Sequence, residues 1–168
     1  MIHVYTGDGQ GKTSAALGLA LRSLGRGKKV ALIRFLKNRP SGELTALARF
    51  DNCRVSSFGK AEFILGRSPD KEDRREAEAG MAEAERILGE RSADLLILDE
   101  INPVLDLRLL PPERIEQLIS RCPEEIDLVL TGRNCPATIL SRADYASDIR
   151  EIRHPWKKGA PARPGIEY

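Results

Sequence analysis

No apolar run in the 168 residues approaches the ~20 that a membrane span needs. The start of the chain lacks the charged segment and long apolar stretch of a secretory signal, so a cytoplasmic protein is expected. Cysteine is scarce and odd in number. Cys53, Cys122 and Cys135 stand far apart and form neither a CxxC pair nor a zinc pattern, so free thiols in a reducing compartment are expected. A strong charge excess is lacking too. Formal net charge is +2, and no stretch clusters basic with aromatic residues. Both facts argue against a nucleic-acid partner. Histidine is limited to His3 and His154, and neither pairs by spacing with a serine or a carboxylate. That suits chemistry whose nucleophile arrives with the substrate. No internal repeat or low-complexity linker divides the chain, so one domain over residues 1–168 is expected, long enough for a real core.

What the chain does have is concentrated at its start. Residues 2–6 read as a strand, and Thr6-Gly7-Asp8-Gly9-Gln10-Gly11-Lys12-Thr13-Ser14 carries it through a glycine-rich turn into an alanine- and leucine-rich helix. This is the sequence form of a phosphate-binding P-loop. The glycines let the backbone approach an anion closely. Loop and helix N–H groups and the positive helix end then face the phosphate. Lys12 adds a mobile charge, and Thr13 a hydroxyl suited to Mg2+. The general pattern is G-x-x-x-x-G-K-[ST], and Thr6 occupies its first glycine position.

Apolar runs at 30–35 and 95–98 read as strands buried on both faces, with a weaker strand at 54–58, a further one at 127–131 and a last one around 149–152. Helices are expected from Thr13 to about Leu24, over 43–50, 70–90, 112–121 and 137–142. The first should face the core with Ala16, Leu17, Ala20, Leu21 and Leu24; the charged helix 70–90 with Ala77, Met81, Ala84 and Leu88. Residues 59–69 show no period, and their apolar set, Phe63, Ile64 and Leu65 with Phe58 before it, serves either a functional loop or the core. The end, His154 to Tyr168, reads as irregular and surface-hugging. Alternating strands and helices imply an α/β fold with a mostly parallel sheet covered on both faces. Ligands bind beyond the carboxyl ends of such strands, so the loops after residues 6, 35, 58, 98 and 131 should gather on one edge.

Leu95-Leu96-Ile97-Leu98-Asp99-Glu100 fits an acidic metal-holding strand end. With the P-loop it points to bound Mg-nucleotide. Arg133, after Thr131-Gly132, could contact a phosphate, and Arg34 and Lys37 flank a further strand end. None of this names the reaction. A kinase or NTPase acting on a small molecule, or a RecA-like regulatory ATPase, fits the nucleotide site as well.

Further motifs narrow the choice. The P-loop resembles the T-G-N-G-x-G-K-T-[TS] form of the ATP:corrinoid adenosyltransferases, also called cob(I)alamin adenosyltransferases, in which threonine holds the position of Thr6. Leu98-Asp99-Glu100-Ile101-Asn102 is similar to that family's L-D-E-[LI]-[NT], and Leu130-Thr131-Gly132-Arg133-Asn134 to its V-L-T-G-R-[GN]. Ala143-Asp144, then Ile149-Arg150-Glu151-Ile152-Arg153-His154-Pro155, resembles its A-D…[ML]-R-E-[VI]-K-H-P. The ending Gly165-Ile166-Glu167-Tyr168 resembles its G-I-[DE]-[YF]. The similarity runs from first strand to last residue and is weakest between residues 37 and 90.

The resemblance implies a RecA-like P-loop fold, a homodimer, and transfer of the 5′-deoxyadenosyl group of ATP to the cobalt of a reduced corrinoid such as cobalamin, leaving triphosphate. ATP would lie reversed, with its γ-phosphate deep in the loop of residues 6–14 and C5′ facing the corrinoid. Lys12 and Arg133 would stabilise the charge building on the triphosphate. Thr13 and Glu100 would hold Mg2+, with Asp99 behind them. Apolar residues would push away the lower axial ligand of cobalt; Phe63 fits the first position of the family's F-x-W-like pattern, and Leu65 stands where tryptophan is common. A flavoprotein reductant is expected. Many members carry a segment before the first strand, and this chain begins on that strand.

Overall fold

The computed structural model describes residues 1–60, 68–159 and 161–166. Phe63, Ile64 and Leu65 lie outside the described residues. In chain order the elements are β1 (Ile2–Thr6), α1 (Lys12–Leu24), β2 (Val30–Phe35), α2 (Gly42–Leu47), β3 (Cys53–Phe58), α3 (Lys71–Glu90), β4 (Leu95–Asp99), α4 (Ile101–Asp106), α5 (Pro112–Ser120), β5 (Asp127–Thr131), α6 (Ala137–Leu140) and β6 (Tyr145–Asp148). A single 3-10 turn follows at Pro155–Lys158.

The strands form one sheet in the order β3-β2-β4-β5-β1-β6, and every pairing is parallel. Alternate side chains of a strand face opposite sides, so the central strands feed two cores. Leu32 of β2, Ile97 of β4 and Val129 of β5 join Ala16, Ala20 and Leu24 of α1 and Leu47 of α2. Ile33 and Phe35, Leu96 and Leu98, and Leu128 and Leu130 face α3, α4, α5 and α6 instead. Each such aliphatic side chain taken out of water contributes ~1.5–3 kcal/mol. This two-sided burial is why β2 and β4 read as unbroken apolar runs. It is the α/β arrangement of a RecA-like P-loop fold. β5 lies between the P-loop strand β1 and the acidic strand β4.

Helix α3 begins where its sequence says it should. The Asp70 carboxylate accepts from the N–H groups of Glu72 and Asp73, and Asp73 accepts in return from the Asp70 N–H. Such a cap contributes ~1 kcal/mol. The expected stripe Ala77, Met81, Ala84 and Leu88 is buried.

Two expectations are corrected. The last strand is 145–148, not 149–152. β6 is an exposed edge strand with no apolar pattern, and pairing of His3 with Tyr145 through Thr6 with Asp148 defines it. Ile149 only extends the ladder by one bond, and Ile152 is 92% exposed. Second, Leu21 is 59% exposed, because α1 turns Ala16, Ala20 and Leu24 inward with Leu17 half-buried against them, and Leu21 falls outside that face. Helix α4 has no counterpart among those expectations. Pro103 sits in its first turn, where its missing N–H has no intrahelical partner to lose.

Among the described residues no helix is long and apolar enough to cross a membrane.

Candidate functional site

β1 delivers the chain into the glycine loop at the carboxyl edge of the sheet. The loop is held from outside by the chain leaving β6. The Thr6 carbonyl accepts from the Ile149 N–H at 2.8 Å, and the Gly9 N–H donates to the Ile149 carbonyl at 2.7 Å. This packing demands glycine. A Cβ at Gly7 would come within 2.5 Å of the Ile149 carbonyl oxygen, and one at Gly9 within 2.7 Å of it. Gly11 caps α1 with φ 114, a left-handed conformation that suits glycine. The Lys12 ammonium folds back onto the Gly9 carbonyl at 2.6 Å. Burial lowers its proton affinity, opposed by Glu100 and Asp8 and reinforced by Arg133 and Lys37.

Thr6 has a task of its own. Its hydroxyl accepts from the Cys135 N–H at 3.3 Å and so ties the loop after β5 to the P-loop. Burial pushes the Cys135 thiol up to about 12. Arg133, on the same loop, is 59% exposed along its side chain and donates from Nη2 to the Asp8 carbonyl at 3.3 Å.

β4 ends in Asp99, which is fully buried. Its Oδ1 accepts from Thr13 Oγ1 at 2.8 Å and from Thr131 Oγ1 at 2.7 Å. Thr131 in turn accepts from the Glu100 N–H at 3.0 Å. The P-loop helix, the acidic strand and β5 are thus joined through one carboxylate oxygen. The other oxygen, Oδ2, meets Lys37 Nζ at 3.1 Å, and Glu100 Oε1 lies 3.2 Å from the same ammonium. Burial opposes the charge on Lys37, but Asp99 and Glu100 together outweigh it and raise its proton affinity. Glu100 turns out of the strand with φ 61.

These groups surround a cavity of about 670 Å3 lined by the P-loop from Asp8 to Ser14, by Lys37, Glu100 and Arg133, and by His154 and Ile166 of the tail. A second recess of about 760 Å3 adjoins it and shares Asp8, Arg133 and His154. So Asp8, Gly9, Gln10, Gly11, Lys12, Thr13, Ser14, Glu100 and Arg133 meet around one space, with Gly7 lining the second recess. Thr6 stands behind the loop as an anchor. Arg34 is buried beside the site with its guanidinium 3.8 Å from Glu43. Sequence reasoning passed over Thr131 as a partner of Asp99, and over the 148–150 backbone as the clamp on Gly7 and Gly9. The Thr131-Gly132-Arg133 motif held the first signal. The second had none, since backbone carbonyls carry no sequence mark.

Fold and edge together define a RecA-like P-loop protein with an acidic strand end facing the loop. Comparison with known proteins makes this specific. The model of the family described as ATP:corrinoid adenosyltransferase BtuR/CobO/CobP matches residues 1–168. The corrinoid adenosyltransferase of Escherichia coli (strain K12) is 35% identical over 170 residues, covering 100% of this chain and 85% of the relative. The corrinoid adenosyltransferase CobA of Salmonella typhimurium is 32% identical, with the same coverage. That of Pseudomonas aeruginosa is 32% identical over 98% of this chain and 82% of its own length. The chain belongs to the ATP:corrinoid adenosyltransferase family.

Proposed function

We propose that the chain, acting as one domain over residues 1–168, transfers the 5′-deoxyadenosyl group of ATP to the cobalt of a Co(I) corrinoid. The observation that carries this reading beyond family membership is the pair of adjoining cavities. The phosphate cradle faces one, and the two share Asp8, Arg133 and His154, which gives room for a nucleotide beside part of a larger co-substrate. In the reaction the cobalt electron pair attacks C5′ and the C5′–O bond breaks. Its electrons leave on triphosphate, and cobalt becomes formally Co(III).

No general base is required. The task of the protein is orientation and charge stabilisation. The backbone of residues 6–14 holds the triphosphate, and the Lys12 ammonium exchanges the Gly9 carbonyl for a phosphate oxygen. Arg133, exposed and bonded to the Asp8 carbonyl, closes on the phosphate chain from the side of the second recess. Phe63 would meet the lower face of the corrinoid.

Magnesium fits the site's donors. Thr13 Oγ1 and the carboxylates of Asp99 and Glu100 offer hard oxygens, and among the described residues no cluster of three His, Cys, Asp or Glu forms a complete cage. Mg2+ is ordinarily held in this way, by one or two protein oxygens with phosphates and water completing the shell. When bound it would neutralise charge on the leaving triphosphate. Thr13 and Glu100 would ligate it, and Asp99 would orient Thr13. A homodimer, a flavoprotein electron donor and a cytoplasmic location belong to the same proposal.

The test is anaerobic incubation with Mg-ATP and chemically reduced cobalamin. A cobalt–carbon bond is expected, seen as a visible-spectrum change that light reverses, with triphosphate released. Formation of only ADP and phosphate would replace this reading with that of an NTPase.

A further inference from the structure

One cation in the main cavity has a position that phosphate binding does not explain. The Lys37 ammonium lies between two carboxylates, 3.1 Å from Asp99 Oδ2 and 3.2 Å from Glu100 Oε1. Asp99 is fully buried, and two neighbouring acids with no cation between them would repel. The backbone holds this contact from both sides. Leu36, just before the lysine, has φ 57, and Glu100 has φ 61. Both are left-handed conformations that side-chain-bearing residues adopt only under constraint. The turn at 36–37 also rests on Gly59, where a Cβ would come within 2.9 Å of Leu36 Cα and Lys37 N. Asp99, one of the two acids that Lys37 bridges, accepts from the P-loop threonine through its other oxygen. Lys37 lines the same cavity as Lys12 and Thr13, so its ammonium has phosphate-binding groups as neighbours.

We propose that Lys37 is a resident counter-ion for Asp99 and Glu100, displaced by an incoming divalent cation, and that the freed ammonium then binds the triphosphate. This rests on the metal–nucleotide reading above. Metal alone must evict a paired lysine with nothing to receive it. Metal arriving with a triphosphate supplies the lysine with a new anionic partner. Cation and nucleotide therefore favour each other's binding, a coupling that runs equally in both directions.

The experiment is a Mn2+ titration of the full chain by electron paramagnetic resonance without nucleotide, beside calorimetric binding of Mn-ATP. Wild type, Lys37→Met and Lys37→Arg are compared. Lys37→Met is expected to bind Mn2+ alone about tenfold tighter than wild type, because the competing charge is gone. That gain should not carry over to Mn-ATP, because a charged phosphate contact worth about tenfold or more is lost at the same time. Lys37→Arg should stay near wild type for the metal. A merely structural lesion would weaken both. Unchanged or weaker Mn2+ affinity in Lys37→Met overturns the counter-ion role. A Mn-ATP affinity that rises as much as the Mn2+ affinity overturns the handover to phosphate. If Lys37→Met does not fold, Lys37→Gln, which keeps a donor between the carboxylates, is read by the same criteria. No corrinoid enters this assay, so failure of adenosyl transfer and failure of this proposal are separately visible.

Discussion

Thr131→Val tests the reasoning about the acidic strand end most directly, because valine keeps the shape of threonine and removes only the hydroxyl. That hydroxyl makes two bonds in a fully buried place. It donates to Asp99 Oδ1 at 2.7 Å and accepts from the Glu100 N–H at 3.0 Å. Losing a hydrogen bond to a carboxylate costs about 1.5–3 kcal/mol, and leaving a buried N–H without a partner adds about 1–3 kcal/mol. Asp99 keeps Thr13 and Lys37, so the sum belongs near the lower end. A loss of about 3 kcal/mol is expected, which for a chain of this size lowers Tm by roughly 6–12 °C. Thermal and urea unfolding followed by circular dichroism read this. Thr131→Ser keeps both bonds and should lose only ~1 kcal/mol, for one buried methyl. The Glu100 N–H also fixes the turn that aims the Glu100 carboxylate, so Mg-ATP affinity should fall in the valine variant and hold in the serine one. A melting point for Thr131→Val within about 2 °C of wild type, or a serine variant as damaged as the valine one, would refute the argument.

Lys12→Ala removes the charge that folds onto Gly9, and ATP turnover should fall about a hundredfold or more with the melting point little changed; undiminished activity would show that the P-loop is decorative. Thr6→Val deletes the acceptor of the Cys135 N–H and should lower stability by about 1 kcal/mol while weakening nucleotide binding, and Thr6→Ser should restore both, as melting curves and calorimetry can show. Burial raises the Cys135 thiol from 9.0 to about 12, so at pH 8 the folded protein holds it almost wholly as unreactive thiol. Alkylation mapped by mass spectrometry at pH 8 should modify Cys135 about a thousandfold more slowly than the same cysteine in denaturant, and an equal rate would contradict its burial.

Much of this molecule is legible in its sequence. The P-loop could be read because its mechanism demands particular residues at particular offsets, glycines, then lysine and threonine, at a strand-to-helix junction. The strands at 30–35 and 95–98 could be read because burial on two faces leaves no room for polar residues. Helix α3 announced itself through its charged run and the Ala77, Met81, Ala84 and Leu88 stripe, a pattern within a few residues, and the structure adds the Asp70–Asp73 cap. The ordered motifs from Thr6 to Ile166 pointed to the family that the comparison with known proteins bears out.

Other features depend on partners distant along the chain, and local pattern is silent about those. β6 is exposed and has no apolar alternation; only its pairing with β1 makes it a strand. Asp99 reads as one acid of a pair, yet its buried oxygens gather Thr13 from α1, Thr131 from β5 and Lys37 from the loop after β2. Thr6 looks like a lost glycine until Cys135 is seen to donate to it. By itself the sequence determined the chemistry available at each strand end, since residue type and local spacing set that. The tertiary structure decided which of those groups meet, because a parallel sheet brings strand ends from remote parts of the chain to one edge, and buried polar atoms then take the partners that arrive there.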